Sequence, residues 1–375
     1  MKRLAAVLLL ICAAAARAAA PPFGNAPYDW MPPQGASAPP ASSASRVSVK
    51  IDVTAAEQIL EALSAEKPRP GDASALQGLS VVRRQISESG KPDTVWNEDF
   101  AGAFLPESRP GTFDFRSVRL DRGRWKVCLE GVKADAAEIA GSAARRVEAL
   151  LPADVPLDFS AEIDVTFALA GIKDHVLFPE GQRKAAVLID LGRAISENPG
   201  NPRAETAETL SRLAAAETYR AAWETYRRTS PAWRRPDQGP LDPLLRSVST
   251  VAPLALFAFD RNFFPLSRWL HDDMIRAIDA LNQEAAVLGN PKTDIGKRAE
   301  ILTGLRKPGL RPDPALSAGA FLADGVFQEL GRQALVDALA AGPEGLLDAY
   351  ASAAARKKSD LPPLSRKLRA GTPRK

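Results

Sequence analysis

Ala161-Glu162-Ile163-Asp164-Val165-Thr166-Phe167-Ala168-Leu169-Ala170 is the stretch that decides the fold class. Ile163, Val165, Phe167 and Leu169 alternate with Glu162, Asp164, Thr166 and Ala168, the period of a strand with one buried face. Downstream, His175-Val176-Leu177-Phe178 reads as a second short strand. The nearly unbroken apolar run from Ala185 to Leu191 suits a central one. A loop with two prolines and a glycine comes next, at 196–202. From Ala204 to about Arg228 the period is helical, and most of the chain from there to Tyr350 is helical too. Breaks fall near 231–240, 290–291 and 307–314, where prolines gather.

Upstream of the strand, Ala134–Leu151 places Ile139, Ala143, Val147 and Leu150 at helical spacing. Asp52–Leu63 does the same with Ala55, Ile59, Leu60 and Leu63, and Thr54 is its expected N-cap. Residues 64–115 mix short helical and loop signals. The fold class expected is therefore α+β and mostly helical, with a small central sheet ahead of a C-terminal helical part. The expected division is 47–150, mainly helical, and 151–355, sheet plus helices.

The chain opens on Lys2 and Arg3, runs apolar from Leu4 to Ile11, and continues through small residues to Ala20. Ala16-Arg17-Ala18 and Ala18-Ala19-Ala20 fit small-x-small cleavage, so residues 1–20 are expected to be a secretory signal peptide. The alternatives are an uncleaved anchor or lipidation at Cys12, which bulky Ile11 disfavours. Secretion or periplasmic residence is the expected outcome, with no transmembrane segment in the mature chain. Residues 21–46 are rich in Pro, Ala, Ser and Gly and read as a linker. Cys128 is then the only cysteine left, in an apolar context that predicts a buried thiol.

Losing Lys2, Arg3 and Arg17 takes the 49 Lys and Arg to 46, against 45 Asp and Glu. Eight basic residues and one Asp lie in 356–375, which reads as a basic disordered tail. That tail is the expected route to electrostatic contact with an anionic surface. The remaining body is net negative, which argues against nucleic acid as a partner.

The segment Leu210–Ala221 contains Ala216-Glu217-Thr218-Tyr219-Arg220 just after the strands. In a zinc peptidase of the HExxH kind, two histidines at i and i+4 hold the metal and the Glu takes a proton from bound water. Here Ala216 and Arg220 stand at the histidine positions, and only Glu217 is kept. The order of features resembles a bacterial family of zinc-dependent peptidases of gluzincin type. They are Ala56-Glu57-Gln58-Ile59-Leu60, Leu151-Pro152 before the alternating strand, Val187–Leu191 before the motif helix, then Gly325, Gly331–Leu335 and Leu346–Tyr350. The resemblance spans about Val49 to Tyr350. It implies a zincin-like fold, and it implies a third ligand on the next helix. The counterpart there, Leu244–Ala252, carries no ligand.

No metal and no cofactor are expected on this reading. Glu217 has two open readings: a metal cleft refilled by a Glu–Arg pair, or a surface salt bridge between Glu217, Arg220 and Glu224. The candidate binding cleft is Glu217, Arg220 and Glu224. His175 reads as structural, and His271-Asp272-Asp273 as a solvated helix start. Trp223, Tyr226 and Trp233, near Arg227-Arg228 and Arg234-Arg235, read as core packing beside a solvated turn. No Gly-x-Ser-x-Gly and no phosphate-binding glycine loop is present. The expectation is an exported pseudopeptidase with an unknown protein or peptide ligand. The alternatives are an active hydrolase with a non-standard site, using Glu217 and His271, or a structural envelope-associated protein.

Overall fold

The computed structural model describes residues 46–69, 71–106, 111–171, 173–195, 201–237, 239–258, 268–306, 314–356 and 359–370. The expected signal peptide and all but the last residue of the expected linker lie outside the described residues. Two compact units are present, 44–149 with 156–226, and 150–155 with 227–375.

The first unit is built on a four-stranded mixed sheet of order β1-β2-β4-β3. Its strands are β1 (Val47–Asp52), β2 (Phe159–Thr166), β3 (His175–Pro179) and β4 (Lys184–Asp190). β1, β2 and β4 are parallel, and β3 runs antiparallel on β4 as an edge. Its helices are α1 (Thr54–Ser64), α2 (Asp72–Gln77), α3 (Ser80–Ser89), α4 (Asp93–Gly102), α5 (Phe115–Leu120), α6 (Arg122–Leu150), α7 (Leu191–Ala194) and α8 (Pro202–Thr229), the last leaving the unit after Tyr226.

Helix α6 buries Trp125, Cys128, Leu129, Val132, Ile139, Ala143, Val147 and Leu150 along one face, and Trp125 meets Phe167 at the end of β2. Trp96 of α4 anchors a second cluster, edge-on to Phe113 and Phe115 at 5.0 and 4.6 Å between ring centroids. Burying each such aromatic side chain contributes about 2–3 kcal/mol.

The alternating strand forms but ends at Thr166, short of the expected Ala170, and its polar face is largely covered. Asp164 and Thr166 are buried beside Ile163 and Val165. Helix α3 is the reason. Arg84 pairs with Asp164 at 3.5 Å, Thr166 donates to Gln85, and Gln85 donates to the carbonyls of Phe167 and Ala168. Those bonds hold Ala168 at φ 57°, a left-handed conformation that disfavours any side chain. The next amide, Leu169, is fixed by the buried carboxylate of Asp190 at 2.7 Å.

The second unit is helical. After Trp233 in α9 (Pro231–Arg234) come α10 (Asp242–Ala258), α11 (Arg268–Leu288), α12 (Ile295–Arg306), α13 (Pro314–Leu330), α14 (Arg332–Ala340), α15 (Gly345–Ala354) and α16 (Arg366–Ala370). Helix α13 presses so closely on α10 that a Cβ on Gly319 would lie 2.5 Å from the Val248 carbonyl oxygen. Trp233 is buried and donates its indole N–H to Leu339.

Three expectations need correction. Val47–Asp52 forms β1, so the region expected to be mainly helical supplies an edge of the sheet. Thr54 opens α1 without capping it, and the residue before the helix is Val53. The tail is not a free segment over 359–370. Leu364 and Leu368 are buried, Tyr350 donates to the Pro362 carbonyl, and the Ser365 amide donates to Asn282. Two apolar residues four apart, one just before a short helix and one on it, outweigh the charges around them there. Residues 357–358 and 371–375 lie outside the described residues. No helix among the described residues is long and apolar enough to cross a membrane.

Candidate functional site

Helix α8 carries Ala216, Glu217 and Arg220. Its Ala-rich sequence favours a helix, and it buries Leu210, Ala214, Ala215, Tyr219, Ala222, Trp223 and Tyr226. Trp223 stacks on Tyr219 and on Tyr226, at 6.1 and 5.3 Å, along one helix face. Trp223 and Tyr226 belong to the core, as expected, and Tyr219 joins them. Arg203 pairs with Asp135 and Arg146 with Glu208, tying α8 to α6.

The β3–β4 turn is built by Gly181 at φ 88°, where only glycine is comfortable. The Thr225 hydroxyl donates to the Gln182 carbonyl in this turn at 2.5 Å. The helix therefore lies beside the edge strand, and this places Glu217 against His175.

Glu217 is 1 % exposed. Its Oε1 lies 3.0 Å from His175 Nε2 and 3.1 Å from Arg220 Nη2. His175 Nδ1 in turn lies 2.7 Å from Asp174 Oδ1, off the line a hydrogen bond from the ring would need. Glu217 Oε2 and Thr218 Oγ1 are buried without a hydrogen-bond partner. The Asp174 carboxylate first, then Glu217, raise His175 to about 9 against the opposing effect of burial. The ring is a cation at ordinary pH, and it holds Asp174 below the usual carboxylate range.

The predicted candidates separate clearly. Glu217 and Arg220 do meet, but as a buried carboxylate under an arginine whose side chain is 55 % exposed. That arrangement replaces the simple surface salt bridge. Ala216 and Glu224 are half-buried on the same helix. His175, expected to be merely structural, is the residue that joins them. Strand alternation puts it on one face with Leu177, but nothing local in the sequence announces its partner 42 positions away. The side chain of His271 lies outside the described residues, so the Glu217–His271 alternative gains no geometry.

These residues do not fit a zinc ion. Ala216 offers no donor atom, and Arg220 sets a permanent cation beside the one motif carboxylate. His175 Nε2, the ring atom nearest the motif, is already turned to Glu217 at 3.0 Å. The expected counterpart of the third ligand, Leu244–Ala252, lies in α10 and buries Leu244, Leu245, Val248, Ser249 and Ala252.

A second charged group covers the sheet. Asp52, Glu162 and Asp164 approach within 4.8 Å of one another. Lys50 lies 3.0 Å from Glu162, Lys184 lies 3.7 Å from it, and Arg84 reaches Asp164. Burial first, then Glu162, push Asp164 up to about 7.

The free edge of the sheet completes the site. Asp174 and Glu180 bond to Asp190 and Lys184 of β4, which sets the alternation of the ladder. Asp174, Val176, Phe178 and Glu180 therefore face β4, and the backbone N–H and C=O groups of His175 and Leu177 point outward. Among the described residues no strand pairs with that edge. Pro179 ends it with no N–H to offer. Compared with known proteins, the chain matches no family model, no curated protein and no solved structure.

Proposed function

We propose that the chain is an exported pseudopeptidase: a zincin-like scaffold without a metal site that binds an extended peptide or protein segment. One observation carries this reading. The Glu at the motif position is buried and neutralised by His175 and Arg220, beside an edge strand with which, among the described residues, no strand pairs. A carboxylate whose oxygen is already engaged by His175 and Arg220 is poorly placed to take up and orient a water for attack. An unpaired edge is a template for strand addition. The order of sheet, motif helix and helical remainder supports the scaffold part of the reading.

The test uses the full exported chain, purified without a histidine tag. Peptide cleavage, zinc content and peptide binding are measured on the wild type, Glu217→Gln and Leu177→Pro. Leu177→Pro removes an outward N–H and leaves the β4 ladder intact. The expected result is no cleavage, no stoichiometric zinc, and peptide binding that Leu177→Pro abolishes. Cleavage lost on Glu217→Gln would overturn the reading.

A further inference from the structure

From the placement of Arg220 beside β3, we infer that the bound segment is acidic, and that Arg220 takes the carboxylate of the ligand residue paired with His175. This rests on the reading of the chain as a peptide-binding protein.

The placement comes from strand geometry. His175 sends its backbone groups outward and its side chain to the face where α8 lies, since the ring touches Glu217. A ligand residue directly opposite His175 projects its side chain to that same face, with its Cβ about 5 Å from that of His175. Arg220 is already there, because its guanidinium and the His175 ring share one oxygen, Glu217 Oε1.

Charge and exposure fit the same occupant. Arg220 Nη2 meets Glu217 Oε1 at 3.1 Å while the arginine side chain stays 55 % exposed. A guanidinium has five N–H donors in a planar fork, suited to carboxylate recognition. Its buried partner fixes it from below. His175 meets the same oxygen at 3.0 Å. A basic side chain at this ligand position would meet two cations, and an apolar one would leave the fork without a partner.

The ligand carboxylate has two sources, an Asp or Glu side chain or a chain terminus. A random octapeptide library with blocked C-termini is selected against the full chain and against Arg220→Gln. Synthetic peptides from the winning sequence then carry Glu or Gln at the selected position, each with a free or amidated terminus. The expected result is enrichment of Asp or Glu at one position, and about tenfold weaker binding of the Gln peptide, matching one charge-assisted hydrogen-bond pair. Arg220→Gln should abolish that difference with an unchanged melting temperature. If a free terminus restores binding of the Gln peptide, the shared carboxylate chemistry stands and the terminus is a second source.

Peptides enriched without acidic preference, yet sensitive to Leu177→Pro, overturn this inference and leave the peptide-binding reading in place. An acidic preference that survives Arg220→Gln overturns it equally. No enrichment over a blank surface overturns both.

Discussion

At the scale of single residues, two titratable side chains, half-buried His175 and buried Asp324, make the protein's stability depend on pH in predictable directions. His175 is raised to about 9 from its ordinary value, so its stabilising contribution is full below pH 6.5 and is lost as pH rises through 9. Glu217→Gln should lower the His175 titration midpoint by about one unit and cost about 1–3 kcal/mol at pH 6. The chain has two histidines, so ring resonances followed by NMR report this directly, with His271→Gln identifying the second signal. An unmoved midpoint would mean that the Glu217 contact is not made in solution. Asp324 behaves in the same sense for a different reason. It is buried in α13 with Gln328 as a partner at 3.3 Å, and burial raises it to about 7. Its folded form holds the proton more tightly than the unfolded chain, so stability falls as pH climbs from about 4 through 7. Asp324→Asn should leave the melting temperature unchanged at pH 4 and raise it at pH 8, by about 2–4 kcal/mol of stability. Equal effects at both pH values would reject this.

At the scale of elements, the C-terminal segment is where charge is a misleading guide to order. Leu364 and Leu368 are 4 % and 1 % exposed, on and just before α16. Truncation at Arg356 should therefore lower the melting temperature by several degrees, since two buried leucines contribute about 4–6 kcal/mol before the entropy of ordering is subtracted. Leu368→Ala alone should reproduce about half of the loss, and calorimetry at pH 7 checks both. Elements with a strong local period were legible: α6, the α8 helix, β2 and β4 all follow from apolar spacing. Strand β1 alternates as well, through Val47, Val49 and Ile51, but it is short and abuts a helix. The polar face of β2 was legible as polar and not as covered, because Gln85 and Arg84 come from a helix about 80 residues earlier. The site divided the same way. Glu217 and Arg220 are three apart on one helix, so their meeting is local. His175 reaches them only through the turn of the β3–β4 hairpin and the Thr225 tether, which spacing alone does not encode.

At the scale of the whole molecule, the proposed export predicts a mature N-terminus between Ala19 and Pro21. Intact mass of the exported protein checks it, and a mass retaining Met1 or a lipid on Cys12 would contradict it. The same exported material suits the metal measurement, for which near-stoichiometric zinc lost on Glu217→Gln is the contrary result. Strand β3 has one more consequence at this scale. An edge open to a ligand strand is equally open to the same edge of another copy. Five residues form it, Pro179 closes one end, and a protonated His175 stands at the other. Two such edges brought together would find few backbone bonds to share. At the far side of the sheet, β1 carries Lys50, a residue typical of strands that resist stacking. A strand this short offers a second copy few bonds along its length, so the edge suits a single added ligand strand better than an open stack of identical chains.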